Sequence, residues 1–309
     1  MDRNSIHERL GKRYWRRLLI LLSIAFVSFF GWIIWSIGTA FPYERTTIVI
    51  AGDPVRIVSW NSVRKKVTIL NVPADVRITG AQDVGLLPIG SLERLESLDG
   101  QKKDIYRRSL SLAFAVPIRG ALRRGEPTQT VGEALAPSFS SLWATFPVKR
   151  SGISMALRFR LWWSLLWIRP DAIVEFDAVK LGMTNLIQLP DGSSARVLDP
   201  DTYDTRSAGL FELDGIRQEE LRVRVINTTG VAGRGAAFAR ILSHAGFSVV
   251  ALENDEDAQP NCSFQSNTGR PHHESKRFLE DTLGCRYLES TGTDADVDIT
   301  VRLGSEELL

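Results

Sequence analysis

The chain opens with a block that has no polar periodicity. Leu18 to Ile37 reads LLILLSIAFVSFFGWIIWSI, twenty residues without a charge. At about 1.5 Å per helical residue this reaches roughly 30 Å, the hydrocarbon thickness of a bilayer. Arg3, Arg9, Lys12, Arg13, Arg16 and Arg17 precede it against only Asp2 and Glu8, and Gly38 to Pro42 carries no charge. That asymmetry puts the N-terminus in the cytoplasm and the rest of the chain outside. Trp15, Trp32 and Trp35 lie near the two ends, as interfacial aromatics do. The competing reading is a cleaved signal peptide, whose apolar core of about 7–15 residues is shorter than this run. The pattern predicts a cytoplasmic basic tail over 1–17, a transmembrane helix over 18–38 and a single-pass protein of the cell membrane.

Alternation starts after the span. Thr46–Ala51, Val55–Trp60 and Lys66–Val72 read as strands separated by Gly52-Asp53-Pro54 and by a polar turn from Asn61. From Leu92 the period becomes helical, with Ile105, Ser109, Leu112 and Val116 on one face before Pro117. Arg123 to Pro137 is partly loop. Ile153 to Ile168 predicts a second helix, stopped by Pro170, and Ala172–Phe176 a following strand. Strands and helices alternating after an initial hairpin predict an α/β layered domain over 43–212. The polar stretch from Asp214 to Glu220 predicts a linker at 213–220.

The last segment, 221–304, is the clearest. Arg222–Ile226 alternates. Phe238, Ile241, Leu242 and Ala245 then mark a helix from Gly233 that stops at Gly246. Phe247–Leu252 and Asn261–Ser266 read as strands, Glu274–Leu283 as a helix and Cys285–Leu288 as a short strand. Asp296–Leu303 closes with Val297, Ile299, Val301 and Leu303 on one face. The sum is a small β-α-β-β-α-β-β domain with its helices on one face of the sheet.

Composition narrows the function. Of 309 residues 44% are hydrophobic and 24% charged, which excludes wholesale disorder and a polytopic membrane protein. A net charge of +2 excludes a nucleic-acid coat, and no helix-turn-helix with a basic recognition helix is evident, so no nucleic-acid partner is expected. Two cysteines exclude a disulfide-rich scaffold and a four-cysteine zinc module.

The strand VRVINTTG, the helix VAGRGAAFARIL, then HAGFSVVALEN and the late DITVRLG resemble the LytR C-terminal domain over Leu221 to Gly304. Thr228 stands where that family has glycine. The segment VRIVSWNSVRKKVTILNVPADVRI, Val55 to Ile78, resembles the LytR-CpsA-Psr family in degenerate form. The resemblance implies one N-terminal membrane helix and an outside domain. In active members that domain transfers glycopolymer from a polyprenyl-pyrophosphate carrier to peptidoglycan, with magnesium. The family's Pro-Arg-Asp reads Pro73-Ala74-Asp75 here, so the arginine that should face pyrophosphate is alanine. Asp75 is the candidate Mg²⁺ ligand, and Asp75 with Arg77 the candidate catalytic pair. Strand alternation puts Arg77 on the side of Asp75 and not of Ala74.

Other candidates come from the residues themselves. Asn227, Gly230, Gly233 and Gly235 form a glycine-rich strand-to-helix loop whose N–H groups could hold phosphate. The competing reading is a tight turn that lets the helix pack closely on the sheet. Cys262 and Cys285 would bond in an oxidising envelope compartment. The alternatives are two buried free thiols, a pair too far apart, or a zinc site with His272 and His273 that lacks standard spacing. His244 near a helix end reads as structural, and Arg64-Lys65-Lys66 as a solvated turn. The expected function is a membrane-anchored protein that binds or organises cell-wall glycopolymer or peptidoglycan, or scaffolds other envelope proteins. It would need no catalysis and no cofactor. The alternative is a Mg²⁺-dependent glycopolymer phosphotransferase acting on polyprenyl-pyrophosphate-linked substrates.

Overall fold

The computed structural model describes residues 19–31, 44–81, 84–98, 104–122, 168–267, 273–289 and 296–304. The N-terminal helix, α1, is described over 19–31, inside the expected span. Its apolar side chains are exposed, from Phe30 at 46% to Val27 at 69%. Residues 1–18 and 32–43, which carry the rest of the expected tail and span, lie outside the described residues. Among those described, no helix is long and apolar enough to cross a membrane.

The first domain builds two sheets. Strands β1 (Arg45–Ile50), β2 (Val55–Asn61) and β3 (Lys66–Val72) form an antiparallel meander. β6 (Ile118–Leu122) runs parallel to β1 on one side, and β7 (Ile173–Asp177) parallel to β3 on the other. All three predicted strands pair as a hairpin series. Ala172 falls in a short 3-10 turn, Pro170–Ala172, so the next strand begins at Ile173 rather than Ala172. The meander is buried on both faces, so even its polar residues bond inside: Thr47 Oγ1 donates to Ser59 Oγ at 3.0 Å.

The second sheet has the order β5-β4-β9-β8, from β4 (Arg77–Gly80), β5 (Gly85–Pro88), β8 (Thr184–Gln188) and β9 (Ser194–Leu198). The sequence pattern does not announce it, because these strands have four or five residues and little apolar alternation. Helices α2 (Ile89–Leu98) and α3 (Ile105–Ala113) fill the space with Leu92, Leu110 and the flanking Phe114 against Val49, Ile57 and Leu70. The expected loop over 123–137 and helix over 153–168 lie outside the described residues, Ile168 excepted.

A helix missed by pattern, α4 (Pro200–Ser207), follows β9. Its start carries a local signal: Asp199 caps it, accepting from the Thr202 hydroxyl at 2.7 Å, and Pro200 occupies the first turn. The expected linker is likewise ordered as a helix, α5 (Asp214–Glu219), with Ile216 buried in the second core. A polar segment folds here because Glu44 accepts from the N–H groups of Asp214 and Gly215, both at 2.9 Å, at the helix start.

The second domain follows its predicted order closely. β10 (Arg222–Asn227), α6 (Arg234–Ala245), β11 (Ser248–Asn254), β12 (Ser263–Ser266), β13 (Arg286–Leu288) and β14 (Ile299–Leu303) give the sheet β11-β10-β14-β12-β13. Val223, Val225 and Val301 face Phe238, Ile241 and Leu242 of α6. The helix expected at Glu274–Leu283 is α7 (His273–Arg277) running into a π-turn, Phe278–Thr282. Val297, Ile299, Val301 and Leu303 are all buried, as the alternation predicts. Gly304 ends β14 where a Cβ would lie 2.4 Å from the Asn261 carbonyl carbon, so no side chain fits there.

Cys262 and Cys285 are joined by a disulfide with Cα atoms 4.5 Å apart, stapling the three-residue edge strand β13 to β12. The closed loop has a sequence separation of 23. Replacing both cysteines by alanine is expected to cost about 3 kcal/mol by chain-entropy arithmetic. Urea unfolding should show it as a lower midpoint with a steeper slope, because the unfolded chain is no longer cross-linked.

Candidate functional site

A carboxylate, Asp204, bridges the two domains, with Arg119 donating to the Thr282 hydroxyl at 2.9 Å as a further contact between them. Asp204 of α4 accepts two bonds from the Arg240 guanidinium of α6, at 2.7 Å each, and a third contact from His244 Nε2 at 3.0 Å. Tyr203, one residue earlier, stacks on the His244 ring with centroids 5.6 Å apart. Its hydroxyl donates to the Phe114 carbonyl at 2.9 Å. Burial pushes the Tyr203 hydroxyl far above its ordinary range, so it stays a donor. Burial pushes the Asp204 carboxyl up, but Arg240 and His244 outweigh it and hold it below the usual carboxylate value. Burial likewise lowers the His244 imidazole, against the pull of Asp204. Ala115 and Leu213 sit in the apolar core of the second domain, so the junction is packed as well as bonded.

Beside this junction lies a solvent-open cleft of about 370 Å³. One wall comes from β4, β5, β9 and α3, and the other from the glycine-rich loop and α6. Its floor is apolar, with Leu86, Leu112, Phe238, Ile241 and Leu303. Arg108, Arg234 and Arg240 supply its only charges among the described lining residues. Burial in the wall and the neighbouring Arg107 push Arg108 below its ordinary value, with Asp104 opposing.

The loop residues predicted from sequence divide into two uses. Asn227 is a loop organiser. Its Oδ1 accepts from the Thr229 hydroxyl at 2.7 Å, and its Nδ2 donates to the Val231 carbonyl at 3.1 Å. Gly235 is buried where a Cβ would lie 2.9 Å from Leu252 and 3.0 Å from Asn227, so it permits close helix–sheet approach. Gly230 and Gly233 have φ of 70° and 81°, the left-handed region. Gly233 alone of the four lines the cleft, with Thr229, Val231 and Ala232 beside it. Sequence reasoning missed Arg108, Arg240 and Asp204, because contacts between elements this far apart leave no local signal.

Asp75 and Arg77 lie elsewhere. Asp75 is 67% exposed by side chain and meets Arg196 at 3.6 Å, a residue the pattern did not single out. Arg77 starts β4, opposite Pro88 and beside Val197. Ala74 is packed against the first core, and a Cβ on Gly90 would lie 3.3 Å from its own. Among the described residues no group of three or more His, Cys, Asp or Glu side chains is placed to hold a metal ion. Magnesium asks for near-octahedral oxygen donors around one or two carboxylates, and the Asp75 carboxylate faces a guanidinium instead. The set around Asp75 does not fit the ion.

Residues 220–306 match the family described as LytR cell envelope-related transcriptional attenuator, the LytR C-terminal domain. No curated protein matches the chain. Solved structures with a likeness include TagV of B. subtilis, 10% identical over 68% of this chain and 100% of that one, with a TM-score of 0.41. The transcriptional regulator yvhJ of Bacillus subtilis is 12% identical over 54% of this chain and 95% of that one, TM-score 0.37. The LytR-CPS2A-psr family protein YwtF (TagT) with bound octaprenyl pyrophosphate lipid is 8% identical over 53% and 87%, TM-score 0.37. The resemblance of the C-terminal segment to the LytR C-terminal domain is thus met again by the family match over residues 220–306. At such low similarity the solved structures carry no inference about what this chain binds or does.

The junction sets a pH dependence. A His244 pKa below its unfolded value, about 6.5, means the unfolded chain binds the proton first on acidification. The His244 contribution is therefore full above that value and lost as pH falls below it. The lowered Asp204 contribution is lost in a second window, as pH falls through and below the ordinary carboxylate range near about 4. The melting temperature should fall between pH 8 and pH 5, and His244→Phe should flatten that upper window.

Proposed function

We propose that the chain is a single-pass membrane-anchored envelope protein. Its outward domains bind or organise cell-wall glycopolymer, or hold other envelope proteins there, without transferring glycopolymer themselves. The observation that carries the non-catalytic reading is the setting of Asp75, exposed and met by Arg196 at 3.6 Å. Transfer from a pyrophosphate carrier calls for arginines converging on a secluded, cation-holding carboxylate. Ala74 stands in the place of the expected arginine and is packed, partly buried, against the core.

What supports the anchor is the exposure of α1. Leu19, Ile20, Leu21, Leu22 and Val27 all exceed half exposure. A helix apolar on every side is accounted for by lipid. The flanking cations set its orientation with the N-terminus inside. The match of residues 220–306 to an envelope-related family supports the location. Outward topology is also what an oxidised Cys262–Cys285 pair requires.

Two measurements test the reading. Alkaline phosphatase fused after Gly304 should be active and a fluorescent protein at the same place dark; a cytosolic reporter overturns the topology. The full chain with polyprenyl-pyrophosphate-linked glycan and Mg²⁺ should give no transfer. Turnover that disappears in Asp75→Ala would establish the phosphotransferase instead.

A further inference from the structure

The turn between β2 and β3 is fastened to the residue at which the N-terminal segment enters the first domain. The Ser62 N–H and hydroxyl both donate to the Glu44 carbonyl, at 2.8 and 3.0 Å, and Asn61 Nδ2 donates to the Glu44 carboxylate at 3.1 Å. Asn61 Oδ1 accepts from the N–H groups of Val63 and Arg64, at 3.0 and 2.8 Å, so the turn is braced from within. Every apolar residue of β2 and β3 is buried, yet Val63 at the tip is 70% exposed. Arg64, Lys65 and Lys66 follow it, all exposed. The sequence alone reads this run as a solvated turn. Arg64 is held by Asp214, whereas Lys65 and Lys66 meet no acid among the described residues.

We propose that this turn docks on the anionic outer surface of the membrane, with Val63 dipping into the headgroup boundary and Lys65 and Lys66 lying over the headgroups. The proposal rests on the anchored, outward-facing reading above. The charge-free run ends at Ile37, seven residue steps before Glu44. Seven steps reach at most about 25 Å when fully extended, so a turn bound to Glu44 is kept close to the bilayer. An anionic surface attracts basic segments over about a Debye length, roughly 8–10 Å. The tether thus supplies the encounter and the two lysines the attraction. Val63 decides between anionic partners. A soluble polyanion gains nothing from an exposed valine, whereas a bilayer takes up its isopropyl group, with the lysine stems lying along the same boundary. Docking at a second point fixes the tilt of the first domain over the membrane, which a single tether leaves free.

Full-length Val63→Cys carrying a small polarity-sensitive dye, reconstituted in nanodiscs, tests this. Both native cysteines are in the disulfide, so the dye has one site. Its emission should be lipid-like in nanodiscs containing phosphatidylglycerol, aqueous in pure phosphatidylcholine, and aqueous again at about 0.5 M salt. Lys65→Gln with Lys66→Gln should lower the ratio of docked to free turn at least about tenfold, since each cation near such a surface is worth about fivefold. Both lysines are exposed, so the melting curve should hold. The same dye on Leu186→Cys, an exposed position of β8, should read water in both lipids. Emission equal in the two lipids, emission indifferent to loss of both lysines, or a dye at position 186 that enters lipid equally would each overturn the docking. A soluble glycerol phosphate polymer that shifts the dye in neutral nanodiscs as strongly as anionic lipid does would overturn it in favour of a glycopolymer contact. Co-elution of chain and nanodisc is read separately. A chain that fails to co-elute overturns the anchor and this proposal with it, whereas a co-eluting chain with an aqueous dye overturns the docking alone.

Discussion

The two-domain architecture depends on Asp204. One half-buried carboxylate accepts from Arg240 and His244, side chains four residues apart on a single face of α6, while its neighbour Tyr203 stacks on that histidine. A charge removed from water needs its partners in place, or it costs several kcal/mol. The orientation of α6 on the first domain is therefore not free. Whatever faces the other flank of α6, including Arg234 and the cleft, is positioned by this contact. The apolar packing of Ala115 and Leu213 into the second core gives the junction strength, and the carboxylate gives it register.

Legibility in the sequence followed the length and regularity of each element. The β1–β3 meander was readable because three runs of six or seven residues are separated by turn residues. The second domain was readable because α6 keeps a helical period and β14 a strict alternation. The sheet β5-β4-β9-β8 was not, since its strands are short and some of their apolar residues, such as Leu186 at 72%, face outward. Asp199-Pro200 starts a helix that the hydrophobic pattern does not announce; the Thr202 that completes the cap was the available clue. Asp214–Glu220 read as a linker because nothing local marks Glu44 as its cap, 170 positions away. The candidate site suffers in the same way. Arg108, Arg234 and Asp204 come together only through the packing of two domains.

The glycine-rich loop shows how one motif divides its labour. Asn227 and Gly235 serve the turn itself, one by knitting the loop and the other by letting helix and sheet approach. Gly233 and Arg234 present backbone and charge to the cleft. Sequence alone offered phosphate binding and close packing as rivals. In the structure close packing falls to Asn227 and Gly235, while Gly233 and Arg234 of the same nine-residue stretch, NTTGVAGRG, line the cleft.

Glu44 is the first described residue after the chain leaves the N-terminal segment, and it grips the start of α5 while Arg64 holds Asp214 beside it. The first strand thus begins where the two lobes join rather than at a free edge. If the N-terminal segment is the anchor proposed above, traction along it would load the seam between the two lobes directly, and the seam is where the arginine-lined cavity opens.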